Sequence, residues 1–124
     1  MKDQLILAVD DEADIREIVK DVLKDEGYKV ETAVDGHDCL QKMKKSKPNL
    51  VLLDILMHGL TTKEVVEGIR KIYPNMPIIF LTVVKLSEAT KQKLIHGNMV
   101  DYIEKPFNNE DLIDRVNKAL KKYD

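Results

Sequence analysis

An open, doubly wound α/β sheet is the fold class this chain predicts, and three observations point to it. Strand-like and helix-like segments alternate from end to end, the pattern of a parallel sheet with helices on both faces. Apart from Asn49, the runs 5–9, 49–53 and 78–81 are apolar throughout, as strands buried on both faces are, whereas 28–32 and 100–104 alternate, as edge strands do. Four of these runs then end in chemistry: Asp10 and Asp11 after the first, Asp54 after the third, Thr82 after the fourth, Lys105 with Pro106 after the fifth. In a parallel sheet these groups meet in one crevice, because open α/β sheets bind ligands beyond the carboxyl ends of their strands.

The elements follow in order. The first strand is Leu5 to Val9, and the helix after it carries Ile15, Ile18, Val19, Val22 and Leu23 on one stripe. Gly27 stops that helix, since glycine takes the left-handed cap without penalty. The edge strand 28–32 leads to a second helix from about Gly36 to Lys45, with Leu40 and Met43 inward and Pro48 preventing continuation. Beyond Asp54, Thr61 and Glu64 have the spacing of a capping box for a third helix, which carries Val65, Val66, Ile69, Ile72 and Tyr73 and ends before Pro74. Residues 86–96 show only a ragged stripe, Leu86, Ala89, Leu94 and Ile95 among Lys85, Lys91, Gln92 and Lys93, so the fourth helix is expected to dock least firmly. The fifth helix starts near Asn108 or Asn109 and buries Leu112, Ile113, Val116, Ala119 and Leu120. With right-handed crossovers, a five-stranded sheet of order 2-1-3-4-5 satisfies the central and edge assignments and faces the two acidic sites across the switch of winding direction.

A chain of 124 residues is expected to be one domain, 1–124, with no linker or repeat inside it. Its apolar runs are too short to span a bilayer, and no secretory signal opens it, so a cytoplasmic protein with no membrane partner is expected. Twenty basic against twenty-two acidic side chains give a net charge of -2, which argues against direct nucleic-acid binding. Lys118, Lys121 and Lys122 read as a solvated face at a helix C-terminus, where cations are favoured. The single Cys39 has no partner for a bridge or a soft-metal site and reads as a core residue.

Three carboxylates in one crevice repel, by roughly 3 kcal/mol for two unit charges about 6 Å apart at an effective dielectric near 20. A cation must join them. A hard divalent ion with oxygen ligands fits, and Mg²⁺ is the usual choice where few carboxylates, several waters and a phosphate meet. Asp10, Asp11 and Asp54 with Lys105 and Mg²⁺ sum to zero, which leaves room for a phosphoryl group. The chemistry inferred is phosphoryl transfer to the Asp54 carboxylate, forming an acyl phosphate. Such transfer is accelerated mainly by in-line positioning and by neutralising oxygens, here by the metal and Lys105, with Thr82 hydrogen-bonding the arriving group. Pro106 allows a cis bond that aims Lys105 inward. Each residue also has a plainer role available: Asp10 and Asp11 as helix caps, Thr82 as a strand residue, Lys105 as a loop cation, Tyr102 as edge packing.

Val9-Asp10-Asp11-Glu12, Leu53 to Gly59, Leu81-Thr82 and Tyr102 to Phe107 together resemble the receiver domains of two-component response regulators, similar to the stand-alone chemotaxis members of that family. The resemblance runs from Leu5 to about Lys122 and implies the flavodoxin-like fold. It also implies that Asp54 is the phospho-acceptor, that Asp11, Asp54 and the Leu56 carbonyl ligate Mg²⁺ directly, and that Asp10 acts through metal-bound water. Thr82 and Tyr102 would be the switch pair that remodels the face made by the fourth helix, fifth strand and fifth helix. The implied partners are a histidine kinase or phosphotransfer protein upstream and an effector protein or output domain downstream, with a possible homodimer through the switch face. Such a domain is a phospho-accepting regulator that takes part in its own phosphorylation and dephosphorylation, and not an enzyme in the ordinary sense.

Several positions depart from the family pattern: His58 before Gly59, Thr61-Thr62 after it, Val83 beside the site, and Asn98-Met99 before the last strand. Leu56 and Val84 cannot orient a hydrolytic water and Val83 adds bulk, so a slowly decaying acyl phosphate is expected. His58 can be read as a metal ligand or proton donor, or as a surface residue. Asp101 and Arg115 are candidates for ion pairs between subunits. A haloacid-dehalogenase-like phosphatase would need a second Asp two residues after Asp54, where Leu56 stands, and a flavin module would not tolerate Asp10-Asp11-Glu12 in its phosphate loop. A phosphorylation-independent adaptor would have no use for the intact acceptor set.

Overall fold

The computed structural model describes residues 3–55, 59–83, 87–89 and 99–123. Five parallel strands, β1 (Leu5–Val9), β2 (Lys29–Ala33), β3 (Leu50–Asp54), β4 (Ile78–Thr82) and β5 (Met99–Glu104), form one sheet in the order β2-β1-β3-β4-β5. Every pairing is parallel, with Val9 opposite Leu53, Asp54 opposite Leu81 and Thr82 opposite Glu104. The order expected from burial pattern and crossover handedness is the order observed.

Four helices lie among the described residues: α1 (Ala13–Asp25), α2 (Gly36–Lys45), α3 (Thr62–Ile72) and α4 (Asn109–Tyr123). Of the five expected, the helix over 86–96 lies mostly outside the described residues. Alternation along the central strands splits the core in two. Ile6, Ala8, Leu50, Leu52, Ile79 and Leu81 face α1 and α4, where Val19, Leu23, Leu112 and Val116 meet them. Leu7, Val9, Val51, Leu53, Ile78 and Phe80 face α2 and α3, meeting Cys39, Met43, Val65 and Ile69.

Local signals in the chain set most boundaries. Gly27 takes φ 96° just past α1, and Thr61 and Glu64 close the capping box, with the Glu64 N–H donating to Thr61 Oγ1 at 3.1 Å and the Thr61 N–H to Glu64 Oε1 at 3.0 Å. Asn108 accepts the N–H of Glu110 at 2.7 Å and so opens α4. Two expectations need correction. Ile18, expected on the buried stripe of α1, is 44% exposed, because Ile15, Val19, Val22 and Leu23 already fill the side facing the sheet. Tyr28 does not belong to β2: it is buried, and its hydroxyl bonds Asn117 of α4, while its N–H returns to the Leu23 carbonyl.

Candidate functional site

The carboxyl edge of the sheet gathers the four expected groups. Asp10 follows β1 at 1% exposure, Asp54 ends β3 at 3%, and Thr82 ends β4 fully buried. Lys105 follows β5 with its side chain 5% exposed. Backbone bonds just beyond the strands hold these residues in register: Asp10 N–H to the Ala33 carbonyl at 3.1 Å, Ile55 N–H to Leu81 at 3.3 Å, and Lys105 N–H to Thr82 at 2.7 Å. The Lys105-Pro106 peptide bond is cis.

The Lys105 ammonium is the electrostatic centre. It donates to Asp10 Oδ2 at 2.6 Å and to Asp54 Oδ2 at 3.3 Å, and Glu12 Oε1 lies at 3.5 Å. Burial pulls its pKa down, and the hydrogen bond and charge of Asp10 with those of Asp54 more than reverse this, so Lys105 stands above its ordinary value. Asp10 uses its other oxygen, Oδ1, to accept the Glu12 N–H at 3.0 Å, and its carbonyl accepts from Arg16 at 2.8 Å. The capping role is thereby placed: Glu12 holds the N-cap position without a side-chain cap bond, and Asp10 steadies the turn into α1 while pairing with Lys105.

Asp10, Asp11, Glu12 and Asp54 each offer a carboxylate oxygen, and these oxygens lie within 4.8 Å of one another. Four carboxylates against one lysine leave an excess of negative charge, and an all-oxygen donor set suits a hard divalent cation. Glu12 is the member that sequence reading left without a role. Its signal was adjacency: the chain turns at the start of α1, so the residue after Asp11 swings back over the crevice. Asp11 is exposed. Leu56, His58 and Val84 lie outside the described residues. Val83 is 62% exposed, so its bulk stands at the surface beside Thr82 and not in the core.

Tyr102 sits opposite Phe80, and Thr82 lies two residues further along β4, so the expected switch pair shares one sheet face. The Tyr102 ring is half-buried against the core on the α2 and α3 side. Asp101 and Arg115 are already joined within the chain, at 2.6 Å, and Arg115 also reaches Asp111 at 3.0 Å and the Tyr102 carbonyl at 3.2 Å. Burial lowers the Arg115 pKa, but the bonds and charges of Asp101 and Asp111 outweigh it and leave the guanidinium above its usual range.

A buried carboxylate, a lysine pinned across it and an acidic set fit for a hard cation, all at the carboxyl edge of a 2-1-3-4-5 sheet, define the receiver class. A family model of the response regulator receiver domain matches residues 6–117, and the chain belongs to that family. Among solved structures it is similar to the chemotaxis protein CheY4 of Vibrio cholerae, at 34% identity over 94% of this chain and 98% of that one, with a TM-score of 0.87. A CheY-like receiver domain protein of Methanospirillum hungatei matches at 30% identity over 98% of this chain and 96% of that one, TM-score 0.89. NtrX of Brucella abortus matches at 34% identity and TM-score 0.89 over 99% of this chain, which spans only 28% of NtrX. No described helix is long and apolar enough to cross a membrane.

Proposed function

We propose that the chain is a phospho-accepting switch in which a histidine kinase or phosphotransfer protein delivers a phosphoryl group to Asp54 in a Mg²⁺-dependent reaction. The observation that carries this reading is the Lys105 ammonium, held between Asp10 and Asp54 beside a four-carboxylate set. An Asp54 oxygen attacks phosphorus, the phosphorus–nitrogen bond of the donor phosphohistidine breaks, and the imidazole leaves with the bonding pair and takes up a proton. Mg²⁺ held by Asp10, Asp11 and Asp54, with the Leu56 carbonyl completing the set, would supply the charge neutralisation that lets a phosphoryl approach a carboxylate. Lys105 neutralises a second phosphoryl oxygen, and the Thr82 hydroxyl at the end of β4 hydrogen-bonds a third. Engagement of Thr82 draws the Tyr102 ring with it, since the two share a face of the sheet, and the surface formed by β5 and α4 changes.

The chain acts in this reading as one receiver unit, 1–124, a cytoplasmic regulator and a participant in its own phosphorylation, not a turnover enzyme. Its downstream target is an effector protein or an output domain. A homodimer through the switch face would have to exchange the Asp101–Arg115 pair between subunits, since each chain already closes it internally. The test is intact mass after incubation with a small phosphodonor. Wild type gains one phosphoryl with Mg²⁺ and none with chelator, and Asp54→Asn gains none; equal gain on Asp54→Asn overturns the assignment.

A further inference from the structure

A second recess opens at the opposite edge of the sheet from Asp54. It occupies about 340 Å³ between the α2–β3 and α3–β4 connections, lined by Lys47, Asn49, Tyr73 and Asn75, with Pro48 and Pro77 among its walls. Its volume falls within the range of ligand clefts. The two stretches of chain that supply this lining carry cations and no carboxylate. No carboxylate lies between Asp38 and Asp54 or from residue 68 to 87, and these stretches bring Lys44, Lys45, Lys47, Arg70 and Lys71 to the ends of two packed helices, in a chain whose net charge is -2. Lys44, Lys45, Lys47 and Lys71 are exposed and make no ion pair among the described residues. Favourable helix dipoles explain cations in the last turns of α2 and α3. They do not explain Lys47, which lies in the loop with its ammonium 5.4 Å above the Tyr73 ring.

The form of the recess selects among anions. A compact phosphate needs converging N–H groups, best supplied by a helix N-terminus. Here two helix C-termini lead into the site, and Pro48, Pro74 and Pro77 offer no N–H at all. The cations are instead spread over two helix ends and a loop, which suits carboxylates spaced along an extended chain. Asn49 binds the Leu5 N–H through its carbonyl oxygen at 2.9 Å, so its NH₂ group remains a donor for a passing backbone carbonyl. The Tyr73 ring is steadied by its hydroxyl, which donates to the Met43 carbonyl at 3.4 Å.

We propose that this recess docks an extended acidic segment of a partner protein, a contact separate from the phosphoryl site and independent of the switch. The experiment is an amide NMR titration of the ¹⁵N-labelled chain with a capped hexaglutamate peptide at low salt, run beside inorganic polyphosphate and a single-stranded oligonucleotide. Expected shifts centre on 44–49 and 73–76, weaken with added salt, and report an affinity about tenfold lower in Lys45→Glu/Lys71→Glu. The variant should accept phosphate from a small donor as wild type does, which separates this docking from Asp54 chemistry. Shifts that are absent or scattered over the surface, an unchanged affinity in the charge-reversed chain, or tighter binding of polyphosphate or oligonucleotide at the same amides would each overturn the proposal.

Discussion

Replacing Lys105 by methionine keeps the length of the side chain and removes its charge. The ammonium lies 2.6 Å from Asp10 and 3.3 Å from Asp54, and no side chain of the three is more than 5% exposed. Without it, buried carboxylate oxygens within 4.8 Å face each other, a repulsion of about 3.5 kcal/mol at an effective dielectric of about 20. Removing one partner from a buried ion pair costs about 3–5 kcal/mol in general, so the expected loss for Lys105→Met is about 3 kcal/mol by urea unfolding at neutral pH in chelator. Asp54→Asn should be much better tolerated, and in the Lys105→Met background it should restore roughly half the loss, because it removes one of the two opposed charges. Millimolar Mg²⁺ should stabilise Lys105→Met more than wild type, where the ammonium competes for the same oxygens. A cost below about 1 kcal/mol, or the same cost with Asp54→Asn present, refutes the view that Lys105 is the counter-charge on which the unmetallated site depends.

Four further outcomes are expected. The folded-state pKa of Lys105 lies above the ordinary lysine value of 10.5, so its stabilisation is complete below 10.5 and is lost as pH rises through the higher folded value; alkaline unfolding of wild type should show this loss and that of Lys105→Met should not. Gly36→Ala should cost about 1–3 kcal/mol by urea unfolding, since its Cβ would run into the stiff Val65 side chain and within 3.2 Å of Leu60 Cβ. Gly68→Ala should be nearly neutral, because only the flexible end of Leu40 stands at 2.8 Å and alanine gains up to about 1 kcal/mol of helix propensity. Burial, with the nearby Asp38 charge, pushes the Cys39 thiol up to about 12, so Ellman's reagent should label it only on unfolding; rapid labelling of the native chain would contradict the packing of α2.

The sequence by itself determined the architecture of this protein and the gathering of its polar strand ends at one edge of the sheet. Apolar runs at 5–9, 49–53 and 78–81 can be satisfied only by strands covered on both faces, and alternating runs only by edges, so the strand order followed once crossover handedness was added. Capping spacing at Thr61 and Glu64 and the glycine stop at Gly27 are local in origin and appeared where expected. Parallel topology then sends the ends of four strands to one edge, which is why Asp10, Asp54, Thr82 and Lys105 could be grouped before any distance was known. What remained for the tertiary structure were quantities that depend on how a turn swings or a side chain chooses between partners. Glu12 joins the acidic set because the chain doubles back into α1, and Arg115 closes on Asp101 of its own chain because β5 and α4 bring them within 2.6 Å. Ile18 is solvent-facing because the helix rotates to seat Val19 and Leu23, and a stripe of five apolar residues is wider than the contact it makes. The cationic recess at the far edge belongs to the same class: its two basic stretches, one at Lys44, Lys45 and Lys47 and the other at Arg70 and Lys71, are distant in the chain and become one surface only when α2 and α3 pack side by side. Periodicity and strand-end position are properties of the chain, whereas the partner a side chain finds is a property of space, and only the folded molecule decides it.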